Sequence, residues 1–120
     1  MTEQLAGKRV LLLEDEALVA MMAEEMLAEL GALVVGPVYD LELAQSLIAR
    51  ETLDLALLDL NISGRSSLGL GQALRDRGVA LVFATGYHQP DLSAFPGAAI
   101  LEKPYSLAHL RAALLAALGA

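Results

Sequence analysis

Leu55-Ala56-Leu57-Leu58-Asp59-Leu60-Asn61 sets a carboxylate directly against the end of a four-residue apolar run. The run Leu55–Leu58 is short, has no polar alternation and is bounded by acids, as expected of a strand buried on both faces. Four more runs share this character: Val10–Leu13, Leu33–Val35, Leu81–Ala84 and Ala98–Leu101. Strands of this kind belong to a parallel sheet with helices on both sides, joined by right-handed crossovers.

The intervening stretches carry a helical period. Leu18, Met22 and Met26 lie four apart, Val19, Leu27 and Leu30 widen the stripe, and Gly31 is a natural stop. A second helix carries Leu43, Leu47 and Ile48 and begins at Asp40, a suitable N-cap. A third is expected from about Ser66 to Arg77, ending at Gly78, although Gly69 and Gly71 each cost it roughly 1 kcal/mol relative to alanine. The last runs from Ser106, a candidate N-cap, to Leu118 with Leu107, Leu110, Leu114 and Leu118 on one stripe. Between Leu81–Ala84 and Ala98–Leu101 the pattern fails, and Gly86-Tyr87-His88-Gln89-Pro90 and Phe95-Pro96-Gly97 read as loop. The expectation is five strands, four clear helices and an irregular connection where a further helix would sit.

Composition narrows the function classes. A chain of 120 residues with 56% hydrophobic residues can bury one domain's core. The longest apolar runs, Ala17–Ala23 and Ala112–Leu118, fall far short of the ~18 residues of a membrane span. No signal-peptide pattern opens the chain, and the absence of cysteine excludes disulfides and thiolate metal sites, so the cytoplasm is the expected compartment. Eight basic against fifteen acidic residues, a net charge of −7, argue against nucleic acid as a partner.

In open parallel sheets, functional groups gather beyond the carboxyl ends of the strands. Here the first run ends in Glu14-Asp15-Glu16, the third in Asp59-Leu60-Asn61, the fourth in Thr85 and the fifth in Lys103-Pro104. Two unit charges about 4 Å apart repel by ~4 kcal/mol at an effective dielectric of about 20. Clustered acids must therefore hold a proton or share a cation. Oxygen donors alone favour a hard ion such as Mg²⁺, which keeps several waters and takes carboxylate and phosphate oxygens. On this chemistry Asp59 is the nucleophile toward phosphorus. Glu14 and Asp15 hold the metal with Asp59 and the Asn61 backbone carbonyl, while Lys103 and Thr85 contact the phosphoryl oxygens. Pro104 constrains the backbone after Lys103; a cis bond is one way, although most X–Pro bonds are trans.

Each residue also has a plainer reading. Glu14-Asp15 alone would be a solvated acidic helix start, Asp59 a strand-end cap, Lys103 a surface cation, and Thr85 a strand residue by propensity. Tyr87 could be a loop aromatic over the core edge, and His88 and His109 read as solvated. Gly69-x-Gly71 follows no strand and position 74 is Leu, so it is not a dinucleotide fingerprint. What favours chemistry is the combination.

From Val10 through the final helix the chain resembles the receiver domains of two-component response regulators. Leu12-Leu13-Glu14-Asp15-Glu16 is similar to their acidic pair, Leu57-Leu58-Asp59-Leu60-Asn61 to their phosphorylation strand, and Glu102-Lys103-Pro104 to their lysine-proline step. Phe83-Ala84-Thr85-Gly86-Tyr87 resembles the signature of FATGUY receivers, found largely in alphaproteobacteria and often as stand-alone domains. The resemblance implies a flavodoxin-like doubly wound five-stranded parallel sheet, order 2-1-3-4-5, with a short or irregular fourth helix. It implies a bacterial, cytoplasmic, Mg²⁺-dependent phosphoacceptor, phosphorylated on Asp59 by a histidine kinase or phosphotransfer protein. Such a domain assists only its own phosphorylation and dephosphorylation and is not a turnover enzyme. Residues 1–120 are expected to form one receiver domain with no output domain, because the chain stops just past its last helix. It would act through a downstream protein partner or as a phosphate sink.

Two departures bear on readout. Ile62-Ser63-Gly64-Arg65-Ser66-Ser67 replaces the usual Met-Pro-x-Met-Asp-Gly, and Ile100 stands where receivers place a Tyr or Phe that rotates on activation. Tyr87 becomes the substitute switch candidate, with reorganisation of residues 86–97 as its expected sign. Two other classes compete. A haloacid-dehalogenase-type phosphohydrolase needs a second acid two residues after the nucleophile, where this chain has Asn61. A flavodoxin-like ligand binder needs a phosphate-cradling loop after the first strand, where this chain has Glu14-Asp15-Glu16.

Overall fold

The apolar runs form the strands. The computed structural model describes residues 4–86 and 90–119. Its elements follow in the order β1 (Arg9–Leu13), α1 (Ala17–Glu29), β2 (Leu33–Val38), α2 (Leu41–Arg50), β3 (Leu55–Asp59), β4 (Asn61–Ile62), β5 (Arg65–Ser66), α3 (Leu68–Asp76), β6 (Ala80–Thr85), β7 (Ala99–Glu102) and α4 (Leu107–Leu118). The main sheet has the order β2-β1-β3-β6-β7 and all its pairings are parallel. Counting only these five strands, the order is 2-1-3-4-5, as the resemblance implies.

Alternation along each strand divides the core in two. Val10, Leu12, Leu55, Leu57, Val82, Ala84 and Leu101 join a cluster with Ala23 and Leu27 of α1 and Leu110 and Leu114 of α4. Leu11, Leu13, Ala56, Leu58, Leu81 and Phe83 join the opposite cluster, with Ala44 and Ile48 of α2 and Leu70 and Leu74 of α3. Both faces are covered, which explains why the strands read as unbroken apolar runs.

Helix starts match the expected caps at two places. Asp40 accepts from the Leu43 amide at 2.7 Å, and Ser106 accepts from the His109 amide at 3.1 Å. The stripe expected on α1 holds at Met26, Leu27 and Leu30, which lie in or against the core, and is corrected at Leu18 and Met22. Leu18 and Met22 are 65% and 50% exposed, and the buried residues are Ala20, Ala23 and Leu27. Because α1 is apolar nearly all round, period alone could not choose its face. Ala20 and Ala23 lie inward beside Leu27, while Leu18, Met21 and Met22 are left outside. On α2, Leu43 is likewise exposed, and Ala44 and Ile48 are buried.

Two further features went beyond the sequence reading. β2 continues three residues past Val35 through a cis Gly36–Pro37 bond and a register shift against β1. A Cβ on Gly36 would lie 2.8 Å from the Val38 nitrogen and 3.0 Å from the Leu12 carbonyl oxygen, so only glycine fits. Residues 61–66 form the hairpin β4–β5, turned at Ser63 (φ 52°) and Gly64 (φ 84°). Two successive positive φ angles define the tight turn that suits a two-residue hairpin.

None of the described residues between β6 and β7 is helical, in line with the expected irregular connection. Phe95 from this connection is buried edge-to-face on Phe83, with ring centroids 5.3 Å apart. No helix among the described residues is long and apolar enough to cross a membrane.

The two glycines of α3 now separate. A Cβ on Gly71 would lie 2.8 Å from the tip of the fully buried Phe83 ring, whereas Gly69 has nothing within 4 Å. Gly69→Ala is therefore expected to stabilise the protein by about 0.5–1 kcal/mol through helix propensity and chain entropy. Gly71→Ala is expected to destabilise it by about 1–3 kcal/mol through overpacking. Urea denaturation of both variants checks this pair, and equal effects of the same sign would contradict it.

Candidate functional site

Strand alternation, continued one step past each strand end, decides which side chains meet. Glu14, Asp59 and Lys103 follow Leu12, Leu57 and Leu101 by two residues, so they emerge on the α1/α4 side of the sheet. There Lys103 Nζ lies 2.7 Å from Glu14 Oε1 and 2.9 Å from Asp59 Oδ2. Glu14 is 3% and Asp59 8% exposed, so both carboxylates are largely withdrawn from water. The remaining carboxylate oxygens are also held. Glu14 Oε2 accepts from the Glu16 amide at 3.1 Å, and Asp59 Oδ1 accepts from the Asn61 amide at 3.2 Å.

Asp15 has the opposite parity and turns toward the hairpin. Its Oδ2 accepts from the Ser63 amide at 2.8 Å. Even so, Glu14, Asp15 and Asp59 each present an oxygen within 4.8 Å of the others. Three carboxylates at that spacing, with no nitrogen or sulfur donor among them, fit a hard divalent cation. The Asn61 side chain is occupied, its Oδ1 accepting from the Gly64 amide at 2.7 Å. The Ser67 amide donates to the Leu60 carbonyl, so the next pair outward, Asn61–Ser66, is the non-bonded pair of the antiparallel ladder. The hairpin thus does not consume the Asn61 carbonyl.

Above these groups opens a cavity of about 480 Å³ lined by Asp15, Glu16, Asp59, Asn61, Thr85 and Lys103, among others. Thr85, half-buried at the end of β6, reaches it from the side, and its carbonyl accepts from the Lys103 amide at 2.8 Å. The Lys103–Pro104 bond is cis. Ile100 is 38% exposed on the edge strand β7, and Tyr87 and His88 lie outside the described residues. His109 is exposed on α4.

The sequence reading missed two things. One is the hairpin, for which Ser63-Gly64 between Ile62 and Arg65 was the available signal. The other is Ser67, fully buried, whose hydroxyl donates to the Asp59 backbone carbonyl at 2.7 Å. No pattern in the sequence marks it.

The molecule has known relatives. No family model matches the chain. The structure of SdrG from Sphingomonas melonis Fr1 superposes with a TM-score of 0.82 at 34% identity, covering 93% of this chain and 97% of that one. SdrG in a BeF3-activated conformation gives 0.79 at 35% identity over 94% and 98%. The receiver domain of the response regulator PhyR from Erythrobacter litoralis gives 0.82 at 26% identity, covering 97% and 93%. The transcriptional regulatory protein PdtaR of Mycobacterium tuberculosis is 34% identical over 108 residues, 86% of this chain but 53% of PdtaR. The chain spans about half the length of the curated relatives it matches.

Burial pushes the Glu14 carboxyl above its ordinary value of 4.5, and the charge of Asp59 adds to the rise; the Lys103 hydrogen bond opposes it without cancelling it. Burial presses the Lys103 ammonium down, but its bonds to Glu14 and Asp59 outweigh that and hold it above 10.5. The stability these bonds add is present below 10.5 and lost as pH climbs through the higher folded value. For Glu14 the raised folded value means the native state binds more protons than the unfolded one just above 4.5. Wild type therefore loses stability on this account as pH rises through that window. Glu14→Gln cannot titrate, so its stability relative to wild type should improve between about pH 4 and about pH 7 in chelator. Urea denaturation at both pH values measures the difference, and a flat or falling difference would contradict the assignment.

Proposed function

The chain belongs to the response regulator receiver domains, and from that premise we propose that it accepts a phosphoryl group on Asp59 from a histidine kinase or phosphotransfer protein. The observation that carries this reading is a buried acceptor carboxylate, paired with one ammonium and flanked by two further acids, at the floor of an open cavity. In the transfer, an Asp59 oxygen forms the new O–P bond while the donor's N–P bond breaks and its imidazole leaves with the electron pair. Lys103, already on Asp59 Oδ2, is placed to follow the charge as it moves onto the phosphoryl oxygens. Thr85 lines the same cavity and offers a hydroxyl.

Glu14, Asp15, Asp59 and the Asn61 carbonyl would hold Mg²⁺, which when bound supplies positive charge for the incoming phosphoryl oxygens. Asp15 is the least buried of the three acids and is kept in place by the Ser63 amide. The chain itself excludes bulk water from Glu14 and Asp59 and fixes their oxygens beforehand.

Sequence motif and structure together support placing the domain among FATGUY receivers. Phe83 and Ala84 are buried in β6, and the connection that follows has no helix among its described residues. The signal would leave by protein contact or by draining phosphate from a kinase, with no turnover substrate. SdrG has been captured in a BeF3-activated form, and a beryllofluoride at the Asp59 position would be the equivalent test species here.

Incubation with acetyl phosphate and Mg²⁺, read by intact mass, should add one phosphoryl group to wild type and none to Asp59→Ala or in chelator. No addition to wild type, or undiminished addition to Asp59→Ala, would overturn the assignment. Separately, Mg²⁺ at ten times its dissociation constant should stabilise wild type by about 1.4 kcal/mol. Asp15→Asn should lose most of that gain. A thermal shift independent of position 15 would remove Asp15 from the metal set.

A further inference from the structure

We infer that Ser67 is a positioning residue for phosphoryl acceptance, holding the backbone at Asp59 so that its carboxylate is aimed at Lys103. The inference rests on the phosphoacceptor reading above and concerns a residue that does not touch the cavity's reacting groups.

The need for such a residue follows from where the ladders stop. β1 pairs with β3 only as far as Leu13 opposite Leu58, whereas the ladder to β6 continues to Asp59 opposite Ala84. Asp59 therefore stands one residue beyond its support on the β1 side. A carbonyl there is buried and must find a donor. Ser67 Oγ supplies it at 2.7 Å, and the Ser67 amide donates to the next carbonyl, Leu60, at 3.0 Å. One residue thus clamps two consecutive carbonyls at the exit of the acceptor strand.

The neighbouring serines divide the work. Ser66 Oγ accepts from the Leu68 amide at 3.1 Å, the usual task of a serine at a helix start. Ser67, the residue at the N-cap of α3, makes no side-chain cap bond, and its hydroxyl is left to reach back across eight residues. It is 0% exposed, so no water can take over that bond. Its own carbonyl accepts from the Gly71 amide at 3.0 Å, which anchors the clamp to α3.

The clamp bears on the carboxylate through the turn it fixes. Asp59 Oδ1 rests on the Asn61 amide and Oδ2 on Lys103. The first of these partners lies inside the loop that Ser67 closes. If the base of the loop loosens, the Asn61 amide and the carboxylate it orients move together. Small misplacements of a reacting group cost up to about a hundredfold in rate.

The test compares the full chain with Ser67→Ala, Ser67→Cys and Ser67→Thr. Time-resolved intact mass with acetyl phosphate at saturating Mg²⁺ gives the phosphorylation rate constant of the folded protein. Ser67→Ala should be slower by roughly tenfold, and Ser67→Thr, which restores the hydroxyl, should return to within about threefold of wild type. Ser67→Cys is nearly isosteric with a weaker donor and guards against loss of fold in the alanine variant. It should slow acceptance by about three- to fivefold and shift the Asp59 carbonyl carbon resonance. Wild-type rates in folded Ser67→Ala and Ser67→Cys, or an unmoved Asp59 carbonyl resonance, would overturn the inference. A wild-type chain that takes no phosphoryl group would overturn the phosphoacceptor reading instead, and the resonance measurement would still decide the clamp.

Discussion

One ammonium between two buried carboxylates governs how this molecule is assembled at its carboxyl edge. Lys103 Nζ bridges Glu14 and Asp59 across 2.7 and 2.9 Å. Without it, adjacent strands β1 and β3 would each deliver a negative charge through a carboxylate largely withdrawn from water, where the mutual repulsion is poorly screened. The ammonium comes from the edge strand β7, and β6 lies between β7 and the acceptor strand. A four-carbon stem is long enough to bridge that gap while its charged end stays in the pocket. The Lys103 amide bonded to the Thr85 carbonyl fixes where the stem begins.

That arrangement was legible because it follows from two simple periods. Unbroken apolar runs mean strands covered on both faces, and alternation then sends residues 12 and 14, 57 and 59, and 101 and 103 to the same side. The acids and the lysine could be grouped from strand ends alone. Their pairing partners could not. That Lys103 takes Glu14 as well as Asp59, leaving Asp15 to the Ser63 amide, depends on side-chain parity beyond the strand and on the β4–β5 hairpin, which no expected element included.

What escaped the sequence has a common cause. Spacing alone puts Leu18, Met22 and Leu43 inward, yet the sheet takes Ala20, Ala23 and Ala44 beside Leu27 and Ile48 and leaves those three exposed. On α1, apolar nearly all round, the period has no single preferred face to mark. Ser67 is similar. Serine beside a helix start reads as a cap, and only the early end of the β1 ladder reveals a carbonyl that needs its hydroxyl. Gly71 looked like a weakness in α3 until Phe83 was found where its side chain would be.

These same residues form a continuous line on the α2/α3 side of the sheet. Ser67 holds the Asp59 carbonyl, its own carbonyl bonds Gly71, and Gly71 lies flush against Phe83. Phe95 packs on Phe83, Arg75 of α3 stands 6.0 Å from the Phe95 ring, and the same guanidinium donates to the Ala94 carbonyl. The acceptor strand and the second half of the β6–β7 connection are thus fastened to one short helix. Position 100, where receivers usually carry a mobile aromatic, holds a half-exposed isoleucine on the edge strand. Among the described residues, the aromatics buried here are Phe83 and Phe95, which pack on each other on the opposite face from Lys103. Displacing any one of these contacts would open a void or strand a polar group, because close-packed interiors leave no slack, so the exit of the acceptor strand and the Phe95 end of the connection share α3 as a common support.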